Sequence, residues 1–487
     1  MSKQELPIQL NEAEIRATYG RGEEAVVSLV TQMWERLNML ETEVNELKGR
    51  LSKTSRNSHK PPSGDGFSKR TRSLRCKSDK LSGGQPGHPG QTLEWSSNPE
   101  FVVSHEVTVC SECGDSLASE PIDEVLARQV VDIPPIESLV TEHHVEVKRC
   151  PNCGQVNEGS FPAEARTFVQ YGPHLKAMMV YLMEGQLLPS NRACEVLKDL
   201  MNVSVSDATF YTTRNQCFEH LAPIEAEIKH GIKTSEVAHF DETGLRVNQS
   251  LWWLHVASNK ELTYYFVHPK RGQVAMDEME VLPEFEGKAV HDGWKSYQTY
   301  ECEHFLCNAH HLRELRYILE RYSQWWAFQL SLLLVTIHTQ VETLKAQGKQ
   351  SLSREDVAAF VARYDAILEW GFAQNPMPPP PKTKKRGRPK RTPPLNLLER
   401  LRNQKVSVLG FMYDFTVPFD NNQAERDLRM MKLKQKISGC FRSEDGAKKF
   451  CRIRGYLATL RKQGHGVLEA LVNLFSGNSQ SLLPEPK

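Results

Sequence analysis

The stretch EVAHFDETGLRV, residues 236–247, decides the fold, because it combines a strand pattern with two adjacent acidic residues in its middle, Asp241 and Glu242. Two further strand patterns follow, SLWWLHVASN at 250–259 and ELTYYFVHP at 261–269, with Asn259-Lys260 as a hairpin turn between them. A helical stretch at 273–285 then leads to GKAVHDGWKSY, residues 287–297. This strand, hairpin, strand, helix, strand order predicts a mixed α/β domain.

Three carboxylates in this domain predict a site for metal ions. Asp241 is expected at the end of the first strand and Asp292 at the end of the fourth. If these two strands are parallel neighbours, both carboxylates lie at one edge of the sheet. Glu425 follows in the first turns of a helix capped by Asp420 or by the next two asparagines. Carboxylates that hold a pair of metal ions are what in-line phosphoryl transfer requires.

Four other carboxylates compete with these three and are judged less suitable. Glu242 adjoins Asp241, but successive strand residues point to opposite faces, so one of the two faces away. Asp277 lies in a helical stretch with other acids, which is typical of a solvated face. Asp420 is interpreted as a helix-start residue, and Asp427 as a surface neighbour of the following helix.

The charge distribution points towards DNA although the net charge does not. The 487 residues include 61 Lys and Arg against 60 Asp and Glu, for a formal net charge of +1. Residues 48–91 nevertheless carry eleven bases against two acids, and residues 382–391 carry seven bases and no acid. Residues 426–454 carry ten bases against three acids, a suitable face for a phosphate backbone.

Five basic residues in these tracts are candidates for contacts with DNA. Arg386 and Arg388 stand in RGRP, a sequence that resembles the core of an AT-hook, although a generic basic linker is favoured. The others, on the helix that carries Glu425, are Arg426, Arg429 and Lys432.

The first part of the chain predicts a coiled coil and then a basic linker. Apolar residues from Val26 to Leu51 alternate in steps of four and three, which is an a/d heptad seam. Self-association through residues 1–55 is favoured over a helix that packs on its own domain. Residues 56–97 are rich in Ser, Gly, Pro and basic residues, and are either a solvated linker or an arm that orders on phosphates.

Residues 98–160 are expected to form a small zinc-binding, zinc-ribbon-like module. Three stretches with alternating apolar residues predict strands at 101–110, 124–133 and 138–150. Two C-x-x-C knuckles, each followed by glycine, supply four thiolates and no open position, which predicts structural zinc. The use of cysteines as metal ligands and the polar N-terminus favour a cytoplasmic protein. A membrane span is not expected, because the longest apolar stretch, at 325–337, has only 13 residues. The four predicted zinc ligands are Cys110, Cys113, Cys150 and Cys153.

The rest of the chain is divided by its helical patterns. Residues 161–233 predict helices, including a helix–turn–helix-like pair whose second helix starts at Ser206 or Asp207, with a plain helical pair as the alternative. The catalytic domain is expected at 234–475 with a helical insertion at about 322–400, followed by a tail at 476–487. Cys307 and His310 form a C-x-x-H pair that lacks a second pair, so a structural or DNA-contacting helix start is favoured over a metal site.

Several of these motifs together resemble the bacterial transposases of the insertion sequence 66 family. The resemblance runs over nearly the full length and includes NSHKPPSGDG, GGQPGHPGQ, the two knuckles, HFDETGLRV, VHDGWKSY, CNAHHLREL and DNNQAERDLR. It implies a ribonuclease-H-like core of the DDE type, with Asp241, Asp292 and Glu425 as the triad that binds Mg²⁺ or Mn²⁺. Trp294 stands where the family usually has an aromatic residue.

The resulting prediction is a DNA transposase that cleaves the 3′ ends of its element and joins them to target DNA. Its expected partners are the terminal inverted repeats, target DNA, further copies of the chain through the coiled coil, and accessory proteins of the same element as the resemblance implies. Two alternatives are a zinc-containing DNA-binding regulator without enzymatic activity and a resolving nuclease with the same core.

Overall fold

The computed structural model describes residues 11–54, 56–58, 93–162, 165, 167–377, 391–478 and 481–482. Arg386, Arg388 and most of the predicted basic linker lie outside these residues. Of the helices in this part of the chain, none combines the length and apolarity that a membrane span requires.

The N-terminal third contains two helices and one small hairpin before the main body. The elements are α1 (Glu12–Tyr19), α2 (Glu23–Leu51), β1 (Val147–Arg149) and β2 (Val156–Glu158). The seam predicted for a coiled coil lies on α2, where Val30, Leu37 and Leu47 are each about half exposed. The end of α2 attaches to the main body, since Gly49 accepts a hydrogen bond from the Tyr317 hydroxyl at 3.2 Å. The seam itself stays uncovered by the described part of the chain.

The prediction of strands between residues 101 and 146 is wrong. Only the end of the third forms, as β1, which pairs antiparallel with β2. The other apolar residues of this segment are exposed, for example Phe101 at 90% and Leu139 at 95%. An alternating pattern forms a strand only where another strand pairs with it and a core covers its apolar side. Outside β1 and β2, the described part of this segment has an isolated bridge between Val109 and Ser116, and its apolar residues are mostly exposed.

Four helices precede the sheet, as predicted for residues 174–234. They are α3 (Pro173–Val180), α4 (Ser190–Met201), α5 (Asp207–His220) and α6 (Ala222–Lys233). Ser206 caps α5 by accepting a hydrogen bond from the Thr209 amide, which agrees with the predicted helix start. Helices α3, α5 and α6 share a hydrophobic core with one face of the sheet.

The sheet has five strands in the spatial order β5-β4-β3-β6-β7. Strands β3 (Val237–Val247), β4 (Ser250–Ser258) and β5 (Thr263–His268) form an antiparallel meander. After α7 (Gln273–Met279), β6 (Lys288–His291) joins β3 in parallel and β7 (Glu303–Leu306) joins β6 in parallel. The predicted mixed α/β order is thus confirmed, including the hairpin turn at Asn259.

In the described residues that follow the sheet, eight helices complete the body. They are α8 (Asn308–Tyr322), α9 (Trp325–Ala346), α10 (Arg354–Gln374), α11 (Pro393–Asn403), α12 (Lys405–Tyr413), α13 (Asn422–Ser438), α14 (Glu444–Lys462) and α15 (Val467–Phe475). Helices α9 to α12 share a hydrophobic core, which includes the buried Trp326, with α8 and with strands β6 and β7, and α13 packs on the sheet through Ala424 and Leu428. The apolar stretch at 325–337 therefore lies within a helix as predicted, but only one side of that helix is buried, since Trp325, Phe328 and Leu332 are exposed.

Candidate active site

Asp241 and Asp292 lie on neighbouring parallel strands. Strand β3 pairs with β6 from Val237 opposite Lys288 to His239 opposite Val290. Asp292 comes directly after β6, as predicted, but Asp241 is in the middle of β3 rather than at its end. The reason is that β3 continues to Val247 by pairing with β4 alone. Asp241 is therefore placed where the parallel pairing ends, and both carboxylates reach the same edge.

Local backbone hydrogen bonds orient both aspartates. The Glu242 amide donates to Asp241 Oδ1 at 2.8 Å, and the Trp294 amide donates to Asp292 Oδ1 at 2.8 Å. Between these partners, Gly293 has a φ of 86°, in the left-handed region that favours glycine. The Asp-Gly turn thus directs the Asp292 carboxylate back onto its own backbone.

Glu425 comes to this edge on the first turn of α13. The buried Asn421, just before α13, fixes the start of that helix to β3: its Oδ1 lies 2.8 Å from His239 Nδ1, and its Nδ2 donates to the Phe240 carbonyl at 2.8 Å. These two strand residues immediately precede Asp241. The backbone N–H of Asn421 also donates a hydrogen bond to Cys307 Sγ at 3.1 Å, which ties α13 to the start of α8.

Two basic groups on α8 contact Glu425. Arg313 Nη2 lies 3.4 Å and His310 Nε2 lies 3.7 Å from Glu425 Oε1. Burial raises the pKa of the Cys307 thiol to about 12, and its sulfur accepts the hydrogen bond from the Asn421 backbone amide. The favoured interpretation of Cys307 and His310 as a structural helix start agrees with these contacts.

The electrostatics of the edge reflect several carboxylates in a small space. Burial, and then the neighbouring charges of Glu242, Asp292 and Glu425, raise the pKa of Asp241 well above its ordinary value. Mutual repulsion of this kind is relieved by a cation. Within the described ranges, however, no three His, Cys, Asp or Glu side chains are close enough together to hold a metal ion. The three carboxylates fit a divalent metal by their chemistry, while Glu425 is held by Arg313 and His310.

Glu242 faces the other side of β3, which confirms that the two adjacent acids point apart. Its side chain is 1% exposed and is contacted by the Arg271 Nε at 2.8 Å and by the Tyr297 hydroxyl. Tyr297 stacks on His291, whose Nδ1 accepts a hydrogen bond from the Gly293 amide at 3.0 Å. Glu242 therefore supports the turn that carries Asp292 indirectly, through Tyr297 and His291.

Two of the competing carboxylates lie as interpreted and one does not. Asp277 is at the surface and accepts a hydrogen bond from the Tyr300 hydroxyl, and Asp420 accepts from the Asn422 amide at the start of α13. Asp427 is not a surface neighbour, because its side chain is only 10% exposed and pairs with Lys462 at 2.9 Å. Its place on the inner side of α13 explains the difference.

The basic residues of α13 differ in what they offer to DNA. Arg426 and Arg429 are exposed, and Arg426 contacts only Gln423 of its own helix at 2.8 Å. The Lys432 ammonium instead donates to the Gly244 carbonyl at 2.9 Å, and burial lowers its pKa. On α5, all of which is described, the one Arg or Lys is Arg214, which pairs with the buried Glu184. DNA docking by α5 therefore has no exposed Arg or Lys of that helix to support it, and stays a prediction.

The two cysteine knuckles have the same local geometry. The Cys110 amide donates to the Asp115 carbonyl at 2.9 Å and the Cys150 amide to the Gln155 carbonyl at 2.8 Å. Gly114 and Gly154 have φ values of 79° and 71°, as the tight turns require. Backbone N–H groups of the turn, led by that of Cys113, lower the pKa of Cys110 to about 7, which favours the thiolate that zinc binds. Each knuckle fits half of a four-thiolate site, and the structure does not bring the two halves together.

Comparison with known families places the chain in a class. The model described as the IS66 family of transposases matches residues 169–449, which is more than half of the chain, so the class is that of DNA transposases. The chain belongs to the IS66 transposase family. Its residues 108–154 match the zinc-finger binding domain of transposase IS66, and residues 11–94 match a family of unknown function, DUF6444. A search among curated proteins found no match.

Zinc content tests the assignment of the knuckles. We expect the purified protein to hold about one zinc ion per chain, and Cys150→Ser to lose most of it, because three thiolates and an open position bind zinc more weakly than four thiolates. The matched control is Cys440→Ser, since Cys440 is an exposed cysteine outside the knuckles. Atomic absorption after dialysis measures the ratio. Equal zinc loss in both variants, or a zinc-free parent, would contradict the assignment.

Proposed function

We propose that the chain is a DDE-type transposase that cleaves the 3′ ends of its mobile element and joins them to target DNA. The observation that supports this most is that Asp292 directly follows β6, the parallel neighbour of the strand β3 that carries Asp241. Glu425, on the first turn of α13, is near enough for its charge to contribute to the raised pKa of Asp241. The strand order, with an antiparallel meander followed by two parallel strands, is what a ribonuclease-H-like core requires.

Asp241, Asp292 and Glu425 would hold Mg²⁺ or Mn²⁺. When bound, a pair of such ions activates the attacking oxygen and stabilises the leaving 3′ oxygen. The chain's own contribution is to fix the carboxylates: the Asp-Gly turn orients Asp292, and Asn421 locks the start of the helix that carries Glu425. Arg313, together with the exposed Arg426 and Arg429, would contact the phosphate backbone next to the cleaved bond.

The N-terminal part would assemble the protein and recognise the element ends. The exposed a/d seam of α2 fits a second copy of the chain, because the described body contacts only the end of this helix. The zinc module, the basic linker and the helical region would contribute to recognition of the terminal repeats. The protein would act in the cytoplasm, where the bacterial chromosome is accessible, and accessory proteins of the element are further possible partners.

A cleavage assay tests the proposal against its alternatives. The protein is incubated with Mg²⁺ and DNA that carries the ends flanking its own gene, and product termini are mapped at nucleotide resolution. We expect nicks that leave a 3′ hydroxyl at the element ends, followed by joining of those ends to a target plasmid. Binding without cleavage would favour the regulator, and cleavage without joining would favour the resolving nuclease.

A further inference from the structure

A cluster of aromatic and basic side chains lies next to Asp292 and is distinct from the three proposed metal-binding carboxylates. Its centre is Arg271, whose guanidinium carbon lies 4.2 Å from the ring centre of Trp294 and 4.9 Å from that of Trp253. Trp294 follows Asp292 by two residues, and its amide is the group that holds the Asp292 carboxylate. The cluster is therefore fixed to the same turn as a proposed catalytic residue.

The cluster is rigid because a buried carboxylate anchors it. Arg271 directs both Nε, at 2.8 Å, and Nη2, at 2.6 Å, to the same oxygen of Glu242. Glu242 is in turn held by the buried Tyr297. A side chain held in this way loses little conformational freedom when a ligand arrives, so it is suited to binding.

The outer side of the cluster is partly exposed and positively charged. Arg271 is 38% exposed, and Trp253 and Trp294 are half-buried. Lys270 and Lys295, the chain neighbours of Arg271 and Trp294, are exposed. Glu242 offsets the charge of Arg271, whereas Lys270 and Lys295 remain exposed on either side of the cluster, with the Asp292 carboxylate on the same turn as Trp294. Indole rings interleaved with cations are the combination that binds single-stranded nucleic acid, through base stacking and phosphate contacts.

We propose that Trp294, braced by Arg271, binds an unpaired nucleotide of the DNA strand next to the cleaved bond. The base stacks on the exposed side of the Trp294 ring, and the adjoining phosphates pair with Lys270 and Lys295. Bases inside a duplex have both faces covered by their neighbours, so the ligand is a nucleotide of a frayed or separated end. The inference rests on the proposed function only for the identity of the DNA, since strand binding itself requires no cleavage.

Binding of a short fluorescein-labelled oligothymidylate tests the site. Fluorescence anisotropy is measured with the full-length, zinc-loaded protein in buffer without added Mg²⁺ or Mn²⁺, alongside a blunt duplex of the same length. We expect Trp294→Ala to weaken binding of the oligothymidylate about tenfold or more, because it removes the stacking surface, and to change duplex binding by less than about twofold. Trp294→Phe, which keeps a ring, is expected to stay within about threefold of the parent.

The matched control is Trp325→Ala, because Trp325 is a 60% exposed tryptophan on α9. It should bind both probes as the parent does. Equal binding of the oligothymidylate by Trp294→Ala and the parent would overturn the inference. An equal loss of duplex and single-strand binding would also overturn it, since Trp294 would then belong to a general DNA surface. A parent that binds duplex but no single strand would refute this site alone, whereas a parent that binds neither would also refute the proposed function.

Discussion

Replacement of Asp292 by asparagine is expected to lower the rate of DNA cleavage at least about 10³-fold, since loss of a metal-binding carboxylate removes several kcal/mol of transition-state stabilisation. Asparagine keeps the oxygen that accepts the Trp294 amide, so the turn should hold its shape. Affinity for DNA should be unchanged or slightly higher, because a negative charge is removed near the phosphates. Single-turnover cleavage of labelled end DNA measures the rate, and anisotropy measures the affinity.

The same loss is expected for Asp241→Asn and Glu425→Gln, and combining two of the three changes should add little. Groups that act as one unit are strongly non-additive when removed together. Asp277→Asn is the matched control, because Asp277 is a surface aspartate near the sheet that contacts only Tyr300 among its neighbours' side chains. Cleavage by Asp292→Asn within about tenfold of the parent would exclude Asp292 from the reaction.

Replacement of Asn421 by alanine is expected to lower the free energy of unfolding by about 2–4 kcal/mol. The buried side-chain amide bridges His239 and the Phe240 carbonyl, and its removal leaves these two buried groups without this partner. Burial lowers the pKa of His239, so its imidazole is neutral and donates from Nδ1. Denaturant unfolding followed by tryptophan fluorescence measures the change.

Asn421→Ala should also slow cleavage in conditions where the variant is folded, because the start of α13 then no longer fixes Glu425 relative to β3. Asn422→Ala is the control: Asn422 contacts only Asp420 through its side chain and is half-buried, so we expect a loss of about 1 kcal/mol or less. If the two alanine variants unfold and cleave alike, Asn421 has no special role in placing the site.

The sequence predicts most of the catalytic body because its signals there are local. Apolar periodicity and helix capping predict the meander, the helix over 325–337 and the start of α5 at Ser206. The structure has all three. The neighbouring placement of β3 and β6 does not follow from such signals, since it depends on a pairing between residues some 50 positions apart. The sequence therefore predicts the two aspartates as candidate metal ligands, but it does not predict that their strands are neighbours.

The zinc module shows the opposite case. Alternating apolar residues between positions 101 and 146 have the strand pattern. In the described chain, however, most of their side chains are exposed and no strand forms between these positions. Periodicity reports which side of a strand would be buried, but not whether a partner is present to bury it. The knuckles were predictable because their turns depend on residues within a few positions of each other.

Sequence reasoning missed the buried polar residues that support the site. The sequence predicts Asn421 only as a helix cap and gives no signal for Arg271, because a single polar residue carries no periodic pattern. The pairing of Glu242 with Arg271 was foreshadowed only by the argument that Glu242 faces away from Asp241, since a buried carboxylate needs a partner. That requirement identifies the need for a cation but not which of the many basic residues supplies it.

Anomalous X-ray scattering from Mn²⁺ in a crystal of the protein with end DNA tests the central claim most directly. The account predicts anomalous peaks within coordination distance of Asp241 and Asp292 on adjacent strands β3 and β6, with Glu425 turned from Arg313 towards the metal. Mn²⁺ bound elsewhere, with all three carboxylates free of metal in the DNA complex, would contradict it.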